Sequence, residues 1–151
     1  MTINDFYLQL KKSFPFDVTL KQDAFLKKIS RFVLNDNQDE IFVLKGYAGT
    51  GKTTLLSILV NQLPFVNKKY VMLAPTGRAA KVISNYAKQP AFTIHKKIYY
   101  PKKDKNQGMA FTMQANKHKN TVFIVDESSM ISDNVTDATM YTHGSLLDDL
   151  L

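Results

Sequence analysis

The chain has 151 residues, no cysteine, and 20 Lys/Arg against 13 Asp/Glu, for a formal net charge of +7. That length suits one domain with an adequate core, and the lack of cysteine excludes disulfides, thiolate metal sites and cysteine nucleophiles. The first residues carry no apolar stretch of signal-peptide type, and no run is long enough to span a membrane; a cytoplasmic protein with no membrane partner is the expectation.

In chain order, residues 4–14 read as a short helix with Asn4 as cap and Phe6, Tyr7, Leu10 and Phe14 on one side. A second helix is expected from Leu20 to about Val33, with Ala24, Phe25, Ile29, Phe32 and Val33 inward. The polar stretch from Asn35 to Glu40 reads as a turn into a short buried strand, Ile41 to Leu44. Next comes Gly46-Tyr47-Ala48-Gly49-Thr50-Gly51-Lys52-Thr53, a complete G-x-x-x-x-G-K-[ST] phosphate-binding loop. Its glycines let backbone N–H groups close on a polyphosphate, Lys52 can reach the outer phosphates, and Thr53 can ligate Mg²⁺. The helix that follows, from Thr54 to Val60, aims its N-terminus at the phosphates.

Tyr70 to Ala74 is a nearly unbroken apolar run, as expected of a strand covered on both faces. Thr76 can cap the next helix, whose Ala79, Val82, Ile83 and Tyr86 fall at i, i+3, i+4 and i+7. Ile98-Tyr99-Tyr100 and Met109 to Met113 flank a turn-rich stretch, Pro101 to Gly108, and read as a β-hairpin. Thr121 to Val125 is a further buried strand. Strands alternating with helices imply an α/β fold with a parallel sheet and flanking helices, into which the hairpin is inserted.

The charge is unevenly placed. Residues 91–120 hold seven lysines (Lys96, Lys97, Lys102, Lys103, Lys105, Lys117 and Lys119) against Asp104 alone, whereas residues 121–151 hold six acids and no Lys or Arg. The basic block suits a polyanion partner; it equally suits a solvated lysine-rich loop.

Asp126 and Glu127 stand at the carboxyl end of the last strand, where open α/β sheets place their ligands. An Asp there can hold the Mg²⁺ on nucleotide phosphates, and a neighbouring Glu can orient or deprotonate the attacking water. The alternative is an acidic pair that merely ends a strand. The pair favours NTP hydrolysis over phosphoryl transfer to a small molecule. A guanine-reading Asn-Lys-x-Asp is absent, since Asn116-Lys117-His118-Lys119 lacks the acid, so ATP is favoured.

Gly46 to Thr53, Ala74 to Ala80, Thr93-Ile94-His95 and Asp126 to Met130 occur in the order of helicase motifs I, Ia, Ib and II. The chain therefore resembles the RecD/Dda-type superfamily 1 DNA helicases, which move 5′ to 3′ on single strands. The likeness covers about residues 19–132 and implies a P-loop NTPase (RecA-like) lobe. Residues 1–18 would form a helical extension, 19–96 and 121–151 the partial lobe, and 97–120 the inserted basic hairpin.

By the resemblance, Lys52, Asp126 and Glu127 are catalytic and Thr53 and Asp126 hold Mg²⁺. Gly46, Ala48, Gly49, Thr50, Gly51, Lys52, Thr53 and Thr54 cradle ATP. Gln22 matches the upstream glutamine that reads adenine, although Thr19 and Gln22 also form a capping box. Thr76, Arg78, Thr93 and His95 match positions that contact single-stranded DNA, and Lys81, three residues after Arg78, shares its helix face as a further DNA-binding candidate. Arg78 and Lys81 can instead be a solvated basic face, and His95 a packed or capping residue. The hairpin occupies the place of the family's strand-separating pin, where Tyr99, Tyr100 and Phe111 either stack on bases or pack the hairpin's own face.

Such helicases need two RecA-like lobes. Nothing here matches motif III or motifs IV to VI, so a lobe truncated before motif III, lacking its second lobe as partner, is the expectation. Leu146, Leu147, Leu150 and Leu151 would then form an uncovered apolar edge, and the isolated chain would be inactive. Two other readings stand beside the helicase: another P-loop ATPase of clamp-loader-like type, and a non-catalytic nucleotide- or DNA-binding module.

Overall fold

The computed structural model describes residues 1–35, 40–104, 108–133 and 145–151, with the backbone alone for 102–104 and 108–111. The expected turn at 36–39, Lys105, and the side chains of Lys102, Lys103 and Phe111 lie outside the described residues. The chain divides into two compact units. The first comprises Met1–Tyr70, Tyr86–Lys88 and Asn120–Val122; the second comprises Val71–Asn85, Gln89–Lys119 and Phe123–Leu151.

In the first unit, α1 (Ile3–Lys12) packs on α2 (Leu20–Leu34). Each opens with a capping box, Thr2 with Asp5 and Thr19 with Gln22. The cap of α1 is thus Thr2 rather than Asn4: Thr2 and Asp5 satisfy each other's backbone N–H groups, at 2.9 and 3.1 Å, which Asn4 inside the first turn cannot do. Phe6 and Leu10 are buried, as are Phe25, Leu26, Ile29 and Val33. Ala24 is exposed, and Ser30 takes an inward place by donating its hydroxyl to the Leu26 carbonyl at 2.7 Å. Asp23 ties the two helices, accepting from Tyr7 Oη at 2.6 Å, Lys11 Nζ at 2.7 Å and Lys27 Nζ at 2.9 Å. Hydrogen bonds from Lys11, Tyr7 and Lys27 hold its carboxyl well below the usual range.

Ile41 to Leu44 forms no strand ladder, unlike the expectation from its apolar run. Aromatic packing anchors the segment. Phe42 packs edge-on against Phe25 at 5.8 Å and against Phe32 at 5.4 Å, while Ile41 and Val43 are each 66% exposed. The phosphate-binding loop follows and enters α3 (Lys52–Gln62), which buries Leu55, Leu59 and Val60. Gln9 on α1 donates to Gln62 at the end of α3 at 2.6 Å.

A three-stranded sheet, with most of its residues in the second unit, has the order β2-β1-β5, with β1 Lys69–Ala74, β2 Ala91–Thr93 and β5 Thr121–Val125. The first two strands pair in parallel, with Leu73 opposite Phe92. The Lys69 N–H donates to Asn120 and the Asp126 N–H to Leu73, at 2.9 and 3.0 Å, so β5 also runs parallel to β1. Residues 71–74 are buried without a break, as the apolar run implies.

Thr76 caps α4 (Gly77–Ala87), its hydroxyl accepting from the Ala79 N–H at 3.2 Å. The buried stripe of α4 is Ala80, Ile83 and Ala87; Val82 is 58% exposed, so the inward face is turned from the expected one. A short helix α5 (Ile94–Ile98) leads into β3 (Tyr99–Asp104) and β4 (Gly108–Met113), an antiparallel hairpin with Tyr99 opposite Met113.

The core of this unit contains Val71, Leu73, Ile94, Tyr99 and Leu146. Leu146 belongs to α6 (Leu146–Leu150), and Leu150 packs on the same cluster. The expected uncovered leucine edge is therefore largely covered, with Leu151 alone standing out at 75% exposure. The Tyr99 hydroxyl also donates to the Asp149 carboxylate, which fastens α6 to the start of the hairpin. No helix among the described residues is long and apolar enough to cross a membrane.

Candidate functional site

The phosphate-binding loop lies in the first unit, and its shape follows from its glycines. Gly49 and Gly51 adopt φ of +77° and +82°, which L side chains rarely take. Gly46 is demanded by space instead, since a Cβ there would sit 2.8 Å from Thr50 Oγ1. That hydroxyl donates to the Tyr47 carbonyl at 2.7 Å and closes the turn. The Lys52 ammonium donates to the Gly46 and Tyr47 carbonyls at 2.7 and 2.8 Å, so the side chain folds back over the loop that precedes it.

Gly51 is the N-cap of α3 and supplies no side-chain cap. This sets α3 apart: α1, α2, α4, α5 and α6 each open with a Thr or Ser oxygen on a backbone N–H. The first-turn N–H groups of a helix lack intrahelical partners and attract anions. A glycine cradle with an uncapped helix start, a lysine and the Thr53 hydroxyl is a donor set that fits a polyphosphate with its Mg²⁺. Thr54 is committed elsewhere, to a 3.1 Å hydrogen bond with the Tyr86 hydroxyl.

Gln22 performs the capping role in this structure. Its Oε1 accepts from the Thr19 N–H at 2.9 Å, and its own N–H donates to Thr19 Oγ1 at 3.3 Å. The amide nitrogen of the same side chain lies beside the loop, 3.3 Å from where a Cβ on Gly51 would stand.

Asp126 and Glu127 lie in the second unit, at the carboxyl end of β5. The Asp126 backbone is pinned by its bond to Leu73. Its Oδ1 accepts from the Glu127 N–H at 3.0 Å, while Oδ2 has no protein hydrogen bond among the described residues. Glu127 takes a left-handed conformation, φ 53° and ψ 36°, which costs a non-glycine residue on the order of 1–2 kcal/mol. Its carbonyl accepts from the Met130 N–H at 2.9 Å, so the strained residue starts the 3₁₀ turn of Ser128–Met130.

The second unit also contains a basic groove of about 360 Å³ between α4 and β2–α5. Gly77, Lys81 and Asn85 line one side, and Phe92, Thr93 and Lys96 the other. Lys81 and Thr93, far apart in sequence, are thereby brought together. Thr93 is also the cap of α5, accepting from the Lys96 N–H at 3.2 Å. Arg78 is exposed on the first turn of α4. His95 is half-buried, its ring 5.9 Å from that of Tyr99, and burial pushes its imidazole pKa down. Among the described residues no three His, Asp or Glu group together as a metal site. Tyr99, expected as a base-stacking candidate, is 3% exposed and packs inward. Phe92, which lines the groove, carries no motif signal in the sequence.

The family model of an AAA domain matches residues 27–142, most of the chain. The chain belongs to the AAA-domain family. An AAA domain of this kind is a P-loop nucleotide-binding unit, in keeping with the cradle around α3. The chain is 32% identical over 111 residues to an uncharacterized protein of Methanocaldococcus jannaschii, covering 66% of this chain and 9% of that protein. It is 30% identical over 143 residues to an uncharacterized protein of Acanthamoeba polyphaga mimivirus, covering 78% of this chain and 28% of that protein. This AAA domain thus spans less than a third of the length of either relative. No solved structure matches it significantly.

Proposed function

We propose that this AAA domain is the ATP-binding lobe of a DNA helicase of the RecD/Dda type, working on single-stranded DNA with a second RecA-like lobe. The observation that carries the nucleotide half is the uncapped, glycine-cradled start of α3 with Lys52 beside it. The ordered set of motif-like segments along the sequence supports the helicase half.

In this reading the backbone N–H groups of the 46–51 loop and of Lys52, Thr53 and Thr54 receive the phosphates. Lys52 leaves its two loop carbonyls and neutralises the outer phosphates. Thr53 and Asp126 would offer their side-chain oxygens to Mg²⁺, which would supply further positive charge to the phosphate oxygens. Glu127 accepts the proton of a water whose oxygen attacks the γ-phosphorus as the bond to the β–γ bridging oxygen breaks.

DNA is held by its phosphates through Arg78 and Lys81, with Thr76, Thr93 and His95 on adjoining turns. A backbone-directed site predicts steep salt dependence and little dependence on base sequence. Arg78→Ala should lower the slope of log affinity against log salt by about 0.7, one single-strand phosphate contact. Anisotropy titrations of a labelled oligothymidine across a salt series measure it, and an unchanged slope would place Arg78 away from the nucleic acid.

A further inference from the structure

The basic groove holds one aromatic ring that no motif assigns. Phe92 is the middle residue of β2, one of the two edge strands of the described sheet. Phe92 is 37% exposed. It forms part of the groove wall together with Lys81, Ser84, Asn85 and Lys96. The Lys97 ammonium stands 5.4 Å from its ring centroid, a cation–π contact that sets a further positive charge beside the ring.

No carboxylate is among the lining residues described. The groove therefore combines an accessible aromatic surface with cations and nothing to repel a polyanion. Sites for single strands that read no sequence have this chemistry: cations follow the phosphates, and an aromatic side chain takes a base on its face. A double-stranded partner would leave the ring without a role, because its bases are stacked on one another. Of the hairpin's aromatic candidates, Tyr99 is spent, buried with its hydroxyl on Asp149, whereas Tyr100 is 45% exposed on β3 but is not among the residues that line the groove.

We infer that Phe92 is the base-stacking platform of a single-stranded DNA subsite in which Lys81 and Lys96 take the flanking phosphates. The inference rests on the reading of the groove as a DNA-contacting face, and adds the residue that engages bases rather than backbone. Every base has a π-face, so the platform strengthens binding without selecting sequence.

The test compares an oligothymidine with an abasic deoxyribose-phosphate oligomer of equal length, on the 151-residue chain and on Phe92→Leu, Phe92→Trp and Lys96→Ala. Phe92→Leu keeps an apolar side chain on the strand and removes the π-surface. It should weaken oligothymidine binding roughly 5- to 150-fold, the range for one lost base–aromatic stack. The abasic oligomer should bind it as it binds the wild type, and Phe92→Trp should restore oligothymidine affinity. Lys96→Ala should lower the salt slope by about 0.7, while Phe92→Leu leaves the slope alone. Unchanged oligothymidine affinity in Phe92→Leu overturns the inference and leaves the groove a phosphate site. Equal losses on both oligomers overturn it too, marking Phe92 as structural. A wild-type chain that binds neither oligomer removes the DNA reading itself.

Discussion

Gly46→Ala probes the phosphate-binding loop at the position where space, rather than backbone conformation, demands glycine. The added Cβ would fall 2.8 Å from Thr50 Oγ1, a separation that Cβ atoms essentially never show. The hydroxyl must move, and its 2.7 Å bond to the Tyr47 carbonyl breaks. That bond is solvent-exposed, so water replaces part of what is lost, and the cost is about 0.5–1 kcal/mol. Thr50→Ala alone loses the same bond at a similar cost. Once Thr50 is alanine nothing remains to strike, so Gly46→Ala should then be nearly neutral. The coupling in the double-mutant cycle is accordingly ~0.5–1 kcal/mol. Urea unfolding of the four proteins measures it. Gly49→Ala is the contrast, because position 49 has φ +77° and open space around it. It should cost on the order of 1–2 kcal/mol through backbone strain and show no relief from Thr50→Ala. Equal costs for Gly46→Ala in both Thr50 backgrounds would refute the steric argument and the loop geometry behind it.

Gln22→Ala removes the acceptor for the Thr19 N–H, so stability should drop by ~0.5–1.5 kcal/mol with discrimination between ATP and GTP retained. A retained melting temperature with lost discrimination would instead make Gln22 the adenine reader. Burial disfavours the charged form of His95, placing its folded-state pKa below the ordinary value of 6.5. The resulting stability is present above that value and is lost as pH falls through the folded-state pKa. The wild-type melting temperature should therefore fall between about pH 8 and pH 5 more steeply than that of His95→Gln. Parallel profiles would show that His95 is not the group responsible.

Much of the domain could be read locally. The glycines and lysine of the 46–53 segment carry their geometry with them, and the apolar runs 70–74 and 121–125 are recognised as strands without a partner, although the second buries Ile124 alone and leaves Phe123 38% exposed. Thr76 is recognised as the cap of α4 because a hydroxyl just before an apolar helical stripe is suited to that place, whereas the capping role of Thr93 shows only in the structure. What escaped the sequence depends on distant partners. Ile41 to Leu44 has a strand's composition, but a ladder requires a neighbouring strand, and aromatic packing of Phe42 holds the segment instead. On α4, alanines contribute little to an apolar stripe, so the periodicity pointed to Val82 and Tyr86 while Ala80, Ile83 and Ala87 are buried. Tyr99 finds its acceptor fifty residues later, at Asp149. The groove formed by Lys81, Phe92 and Lys96 likewise needs two elements side by side, and only their packing shows that Phe92 lies among cations.

The central claim is that the 46–53 loop binds Mg·ATP through Lys52, and calorimetric titration of wild type and Lys52→Ala tests it most directly. Removing the ammonium deletes a charge-assisted bond to phosphate worth about 1.5–3 kcal/mol, so affinity should fall roughly 10- to 150-fold. Measured with both proteins shown to be folded, equal affinities for the two would contradict the account.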